Sequence, residues 1–106
     1  MTFKKYISLS DALLYNKNLK SFYTTSYGFE LMLKLYDQHQ SETKMHIDEL
    51  YSDMNSGLPR REAFGIFINR LDTLGCIEKI PHTQKKSMKS IVLSKNIIAE
   101  LDKVFE

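Results

Sequence analysis

The chain has 106 residues, a length at which a single domain folds around one hydrophobic core. A composition of 42% hydrophobic and 26% charged residues, with four Gly and two Pro, excludes a collagen-like, low-complexity or disordered chain. The only cysteine is Cys76, so an internal disulfide is excluded and a zinc finger lacks its ligands. The single cysteine favours a reducing compartment, Asp11 interrupts any signal-peptide-like segment near the start, and no apolar run approaches the roughly 20 residues of a membrane span. We therefore expect a cytoplasmic protein with no membrane contact.

The net charge of +2 is too small to indicate a nucleic-acid partner, but the charges are unevenly distributed. Residues 37–57 are acidic overall, and the segments before and after them are basic. In the last segment, five lysines follow one another with no acid between the first and the last: Lys79, Lys85, Lys86, Lys89 and Lys95. A block of one sign is typical of a phosphate-binding surface, although a solvated loop has the same composition.

Two helices are predicted in the first 40 residues. The first covers residues 8–16, where Ser8 and Asp11 have the spacing of a capping box. The second covers residues 27–39, with Ser26 as its N-cap. Its apolar residues recur at intervals of three and four, as on the buried face of a helix: Phe29, Met32, Leu33 and Tyr36. Leu31 and Leu35 widen this face, as in a helix that is buried on most sides. The residues between the two helices are polar and show no clear period.

Two more helices follow a polar turn over residues 40–44. Apolar spacing predicts a helix over residues 45–54 with an acidic outer face. Pro59 then fits the first turn of a helix that runs to Leu74 and ends at Gly75. At about 100° per residue, its buried arc contains Ala63, Phe64, Phe67, Leu71 and Leu74, and its outward arc contains Arg61, Glu62, Gly65, Asn69 and Asp72.

After Gly75 the pattern changes from helical to β-like. Residues 76–80 and 90–93 are short apolar runs joined by a basic segment, which predicts a two-stranded hairpin. Ser94 then caps a last helix, whose apolar residues are Ile97, Ile98, Leu101, Val104 and Phe105. The order of elements predicts an α+β, mostly helical fold: a winged helix-turn-helix with a two-stranded basic wing. In such a fold the helix over residues 59–74 enters the major groove of DNA.

From Tyr27 onward, over about three quarters of its length, the chain resembles the MarR-type winged-helix transcriptional regulators. Three stretches carry the resemblance. FELMLKLYDQ is similar to the helix that leads into the DNA-binding core, SGLPRREAFGIFINRLDTLGCIEK to the recognition helix, and KKSMKSIVLSKNIIAELDKVF to the basic wing and the following helix. The resemblance implies a dimeric regulator of operator DNA that a small ligand releases in some members, and the sequence identifies no such ligand.

The organisation implied by the resemblance is a single domain in three parts. Residues 1–40 are a helical segment and the dimerisation candidate, residues 41–94 are the winged helix-turn-helix core, and residues 95–106 are the C-terminal helix. We expect a homodimer through the N-terminal and C-terminal helices. The first segment is also rich in tyrosine and phenylalanine, which favours core or dimer contacts in that region.

Candidate DNA contacts on the recognition helix begin with Arg60 and Arg61 in its first turn. A forked guanidinium can bind guanine O6 and N7 in that position, whereas the alternative is a merely solvated helix start. Gly65 would allow backbone or DNA to approach closely, or it is an indifferent surface glycine. Asn69 can pair with adenine, or it lies too far along the helix to reach a base. Glu62 can accept from cytosine N4, or it only offsets the charge of the neighbouring arginines.

The wing supplies the remaining candidates, Lys85, Lys86 and Lys89, which suit the phosphates flanking the recognition helix. No metal-ligand spacing, Ser/His/Asp order or Gly-rich phosphate loop is found, so no catalysis, metal or cofactor is expected. The predicted function is a sequence-specific regulator that binds double-stranded DNA as a homodimer. The alternative is a winged-helix module for protein–protein contact, an adaptor or a subunit of a larger assembly, which the modest charge and the acidic helix favour.

Overall fold

The computed structural model describes residues 3–54, 59–81 and 89–105. Within these ranges the helices are α1 (Phe3–Leu14), α2 (Gly28–Gln40), α3 (Ile47–Asp53), α4 (Arg61–Thr73) and α5 (Lys95–Phe105), with a 3-10 helix over Lys20–Thr24. The strands β1 (Met45–His46), β2 (Ile77–Pro81) and β3 (Lys89–Leu93) form an antiparallel sheet in the order β1-β3-β2. The order of elements confirms the α+β, mostly helical winged helix-turn-helix fold.

The first helix is longer than predicted. α1 begins at Phe3, so Ser8 lies inside the helix instead of capping it. Tertiary contacts hold α1 in place: it packs against α5, Leu13 is buried, and Asn16 just after the helix donates a hydrogen bond to Glu100 at 2.7 Å. Packing of this kind stabilises helices more than local propensity does, but it lies at the C-terminal end of α1, and residues 3–8 are exposed.

The segment between α1 and α2, which looked polar and irregular in sequence, contributes to the core. Leu19 and Phe22 are fully buried there, and the Phe22 amide donates to the Leu19 carbonyl oxygen at 3.1 Å. A 3-10 helix has three residues per turn, so side chains three apart lie on the same side. A search for the 3.6-residue period therefore does not detect it.

α2 passes through the centre of the core. Its N-cap is Tyr27, which corrects the prediction of Ser26, and its first residue, Gly28, packs tightly against the 3-10 helix. A Cβ atom at Gly28 would lie 1.5 Å from the carbonyl oxygen of Phe22, so only glycine fits. The predicted buried face is confirmed at Leu31, Met32, Leu35 and Tyr36, whereas Phe29 is exposed and Leu33 is half-buried.

The predicted helix over residues 45–54 divides into a strand and a shorter helix. Met45 and His46 form β1, which pairs with Ile91 and Ser90 of β3 and adds a third strand to the predicted hairpin. His46 then caps α3: its Nδ1 accepts from the Glu49 amide at 3.4 Å, and a Glu49 carboxylate oxygen accepts from the His46 amide at 3.3 Å. A two-residue strand is too short to show a period, which is why sequence periodicity missed it.

α4 agrees with its predicted extent to within two residues at each end. Pro59 lies before the N-cap, Arg60, rather than in the first turn, and Gly75 ends the helix with φ of 77°. α4 packs against α3 and β2. This packing turns the buried arc toward Ile68, so Ala63 and Leu74 are exposed against prediction, and the buried residues are Phe64, Phe67, Ile68 and Leu71.

The hairpin and the last helix match the prediction closely. β2 and β3 pair from Ile77 with Leu93 to Pro81 with Lys89. α5 buries Ile97 and Leu101, and the Tyr36 hydroxyl donates to Asp102 at 2.6 Å, which connects α2 to α5. No helix among the described residues is long and apolar enough to cross a membrane.

Candidate nucleic-acid interface

The outward face of α4 carries most of the side chains that the sequence assigned to DNA. Arg60, Glu62 and Asn69 are exposed, and Arg61 and Gly65 are half-buried. Arg60 and Arg61 occupy the helix start, where a helix-turn-helix protein meets base edges and phosphates. The predicted residues of α4 therefore form one accessible surface, which we name the α4 face: Arg60, Arg61, Glu62, Gly65 and Asn69.

An ion pair orients Arg61. Its Nε donates to the Asp48 carboxylate at 2.7 Å, which joins the first turn of α4 to the first turn of α3. Two arginines at a helix start are disfavoured by the macrodipole, and the Asp48 charge offsets part of that effect. Because both side chains are substantially exposed, the pair contributes at most about 1 kcal/mol to stability. Its main consequence is positional, since it limits the directions that the guanidinium can take.

The structure gives a reason for glycine at position 65 that the sequence did not indicate. A Cβ atom at Gly65 would lie 3.0 Å from Nη1 of Arg61. The Arg61 guanidinium therefore extends along α4 and over Gly65, one turn further on. A larger residue at this position would displace the end of the Arg61 side chain, so Gly65 shapes the α4 face whether or not DNA also approaches there.

A hydrogen bond connects the α4 face to the hairpin. Nζ of Lys79 in β2 donates to Oδ1 of Asn69. The contact places a cation beside Asn69 and leaves the amide nitrogen as the atom of Asn69 that can still donate. Lys79 belonged to the lysine block in the sequence, but it was not among the residues assigned to DNA.

The structure adds Ile66 to this surface. The residue lies one turn after Glu62, and it is 56% exposed although it is large and apolar. Apart from Gly65, the sequence prediction of DNA contacts considered only polar and charged side chains, so it passed over an isoleucine. The available signal was an apolar residue outside the buried arc, because a helix in the major groove recognises the thymine methyl group with such side chains.

The described part of the wing carries cations on the side that faces α4. Strand pairing and alternation put Lys79 and Lys89 on the same face of the hairpin as the buried residues Ile77 and Ile91. Lys89 is exposed at the start of β3. Lys85 and Lys86, the other two predicted phosphate contacts, lie outside the described residues.

Cys76 lies at the base of this hairpin and is buried. Burial raises the pKa of the Cys76 thiol above its usual value, which disfavours the reactive thiolate at neutral pH. The backbone explains its position better than any chemistry of the thiol, because its carbonyl oxygen accepts from the Ser94 amide at 3.0 Å. Cys76 therefore joins the end of β3 to the start of the hairpin.

Comparison with known proteins gives matches in structure and none in sequence. No family model matches the chain, and no curated protein matches it. Among solved structures, transcriptional regulator Tm0710 from Thermotoga maritima has 14% identity and a TM-score of 0.60, covering 94% of this chain and 63% of that one. Heme sensor protein PefR from Streptococcus agalactiae, in complex with heme, has 15% identity and a TM-score of 0.53, covering 96% and 65%.

A third solved structure is overoxidized AbfR bound to DNA, with 23% identity and a TM-score of 0.55, covering 97% of this chain and 74% of that one. This chain spans just under two thirds of the length of Tm0710 and PefR. Identities this low carry the fold and no more. The fold that the sequence resemblance implied is confirmed: the chain has the winged helix-turn-helix fold of the MarR-type regulators.

Proposed function

We propose that the protein is a transcriptional regulator that binds double-stranded DNA, with α4 in the major groove and the wing on the flanking phosphates. The observation that carries the proposal is the α4 face itself. It presents arginine, carboxylate, amide and apolar groups to solvent, and a hydrogen bond from Lys79 to Asn69 connects it to a cationic hairpin. The fold supports the same function, since a regulator of this fold has been solved bound to DNA.

Each group on the α4 face suits a particular part of DNA. Arg60 and Arg61 suit guanine or the phosphates at the groove edge, Glu62 suits cytosine N4, and Asn69 suits adenine. Gly65 leaves room for the Arg61 side chain to extend along the groove. The wing lysines suit phosphates, which determine the position of a protein on DNA and carry no sequence information. These residues are Lys85, Lys86 and Lys89.

We propose that the regulator acts as a homodimer. The outward side of α1 is apolar over three turns, and its exposed residues share one side of the helix: Phe3, Tyr6, Ile7 and Leu14. An exposed apolar stripe of this length marks an interaction surface more often than a solvated one. Two recognition helices would then reach half-sites roughly 34–36 Å apart. In this proposal residues 1–40 and 95–106 form the dimer around the core of residues 41–94.

The salt dependence of DNA binding tests the contact between wing and phosphates. We would measure fluorescence anisotropy of a labelled mixed-sequence duplex over a KCl series, for the wild type and for a Lys85→Ala, Lys86→Ala, Lys89→Ala variant. Each lost phosphate contact lowers the slope of log K against log salt by about 0.9, so we expect the variant to lose about 2.7. A matched control replaces three lysines outside α4 and the wing: Lys17, Lys20 and Lys103.

The outcomes separate the proposal from its alternative. A reduced slope in the wing variant and an unchanged slope in the control would support wing contact with DNA. Equal losses in both variants would mean that the wing has no specific role. If the wild type fails to bind any duplex at low salt, the protein is not a DNA-binding regulator, and a protein partner becomes the better interpretation of this winged helix.

A further inference from the structure

A hydrogen bond between α4 and β2 joins two exposed polar side chains from different elements. Nζ of Lys79 donates to Oδ1 of Asn69, and both side chains are exposed. Lys79 lies two positions after the buried Ile77, and its register partner in β3, Ile91, is also buried. The recognition helix and the hairpin therefore present these two groups to solvent as one unit, which we name the Lys79–Asn69 pair.

The contact fixes the orientation of the Asn69 amide. A lysine ammonium has three donors and no acceptor, so the atom of Asn69 that faces it must be the oxygen. The amide nitrogen can still donate, and the ammonium retains two of its three donors beyond the one that Asn69 accepts. The Lys79–Asn69 pair therefore offers donors at both of its ends, and its only accepting atom lies against a cation.

The four bases differ in how well they suit such a pair. In the major groove, guanine has two acceptors, N7 and O6, whereas adenine has the N7 acceptor beside the N6 donor. An amide alone suits adenine, because its oxygen accepts from N6 while its nitrogen donates to N7. With the Lys79 ammonium at that oxygen, the N6 amino group would face a second donor. Guanine would instead meet a donor at each of its two acceptors.

We propose that Lys79 determines the base that Asn69 recognises: the Lys79–Asn69 pair binds guanine, and Asn69 without Lys79 binds adenine. This preference rests on the DNA-binding function proposed above, and it adds a residue of β2 to the surface that reads sequence. The helix also indicates where the base lies. Asn69 is eight residues after Arg61, which is about 12 Å along the helix axis and corresponds to roughly three or four base pairs of DNA.

Selection from a random duplex library tests the preference with four proteins: the wild type, Asn69→Ala, Lys79→Met and Lys79→Arg. Asn69→Ala identifies the position that Asn69 contacts, because the preference disappears there. We expect guanine at that position for the wild type and for Lys79→Arg, which keeps a donor against Oδ1. We expect adenine on the same strand for Lys79→Met, which frees the oxygen. In anisotropy on two duplexes that differ only at this pair, the wild type and Lys79→Met should each favour their own base at least tenfold.

The matched control is Lys89→Met, because Lys89 is exposed on the same hairpin and pairs with Pro81, two positions beyond Lys79. It removes the same charge and leaves the Lys79–Asn69 pair intact. We expect weaker binding to both duplexes by the same factor and a salt slope lower by about 0.9, with guanine still preferred. If the hydrogen bond of Lys79 is merely structural, Lys79→Met will also keep guanine, since loss of an exposed contact does not exchange one base for another.

Three results would overturn the preference and leave the DNA-binding function in place. They are any base other than guanine at the Asn69 position in the wild type, any base other than adenine, or none, in Lys79→Met, and no position at which Asn69→Ala loses its preference. A wild type that binds no duplex at low salt would overturn both proposals together.

The wild type decides the question by itself if Lys79→Met does not fold or does not bind. Replacing the guanine at the Asn69 position by 7-deazaguanine removes the N7 acceptor and leaves O6 in place. We expect wild-type binding to weaken at least fivefold and Asn69→Ala to bind both duplexes alike. Equal binding of the two duplexes by the wild type would mean that the Lys79–Asn69 pair does not contact guanine.

Discussion

α1 and α4 each bury one face against the core, but their exposed faces differ in chemistry. The outward side of α1 is apolar, with Phe3 88% exposed and Tyr6 62% exposed. The outward side of α4 is mostly polar, and hydrogen bonds connect it to neighbouring elements at Asp48 and Lys79. The inner faces of both helices stabilise the same domain, so the partner of each helix must be inferred from its outer face. An apolar stripe suits a second protein surface, and a polar face on which Arg61 is held by an ion pair suits nucleic acid.

The largest effect is expected from placing charge on the α1 stripe. A Tyr6→Glu, Ile7→Glu variant would bury four carboxylates in a symmetric dimer, and burial of unpaired charge is strongly unfavourable. We expect the dimer dissociation constant to rise at least about 100-fold, which corresponds to roughly 2.7 kcal/mol. Sedimentation equilibrium measures this directly. The charge-matched control is Ser8→Glu, Ala12→Glu, because both positions are exposed on α1 and lie off the stripe.

The same pair of variants also tests whether α1 serves the dimer and α4 serves DNA binding. If the stripe variant is monomeric but folded, we expect its affinity for a single half-site to be retained and its affinity for a two-half-site duplex to fall. A stripe variant that sediments like the wild type and like the control would remove α1 as the dimer surface. A wild type that is monomeric at all concentrations would remove the homodimer altogether.

The second largest effect, on DNA affinity, is expected at Arg61, whose position depends on Asp48 and Gly65. We expect Arg61→Ala to weaken binding to the duplex enriched from a random library by about 1–3 kcal/mol, or roughly 5- to 150-fold. Arg61→Lys keeps the charge but lacks the forked donors, so it should lose sequence preference while the salt slope stays near that of the wild type. Anisotropy on the enriched and the mixed-sequence duplex separates the two quantities.

The control for Arg61 is Arg70→Ala, because Arg70 is exposed near the other end of α4. It removes the same charge from the same helix. If Arg61→Ala and Arg70→Ala weaken binding to both duplexes equally, Arg61 contributes general charge and does not recognise a base. If Arg61→Lys binds the enriched duplex as tightly as the wild type, the forked geometry is unimportant and the ion pair with Asp48 has no positioning role.

Much of the fold could be predicted from periodicity, and the parts that could not share a physical cause. α2, α4 and the β2–β3 hairpin have strong local patterns, and all of them are present. β1 exists because Met45 and His46 pair with β3, more than 40 positions away in the chain. The 3-10 helix at Phe22 likewise depends on packing in the core, where Phe22 joins residues from distant parts of the chain. Local patterns contain no information about such contacts.

The same distinction between local patterns and distant contacts applies to the candidate site. The outward position of Glu62 and Asn69 could be predicted, because helical geometry alone determines which residues oppose the buried arc. The partners of Arg61 and Asn69 could not, since Asp48 and Lys79 lie 13 and 10 positions away and on other elements. A sequence search for base contacts also favours charged residues, and for that reason Ile66 was not predicted to contact a base.

Ile66 carries the smallest predicted effect and sharpens the contrast with α1, because it is an exposed apolar residue on a polar face. If Ile66 packs on a thymine methyl group, replacing that thymine by deoxyuridine removes one buried methyl. Burial of one such carbon group contributes roughly 0.8 kcal/mol, so we expect wild-type binding to weaken about fourfold. Ile66→Ala should bind both duplexes alike, because its partner for the methyl is gone. Ile66→Val, which keeps a branched apolar side chain, should retain most of the preference.

The experiment requires both changes, deoxyuridine in the DNA and Ile66→Ala in the protein, because neither change alone isolates the contact with the methyl group. Deoxyuridine also alters DNA stiffness slightly, and Ile66→Ala also alters helix propensity, but those effects appear equally in both halves of a double-mutant cycle. A coupling energy near zero at every thymine of the enriched duplex would mean that Ile66 does not contact a methyl group in the groove. Ile66 would then be equivalent to the α1 stripe, and it would belong to a protein contact on the α4 side of the molecule.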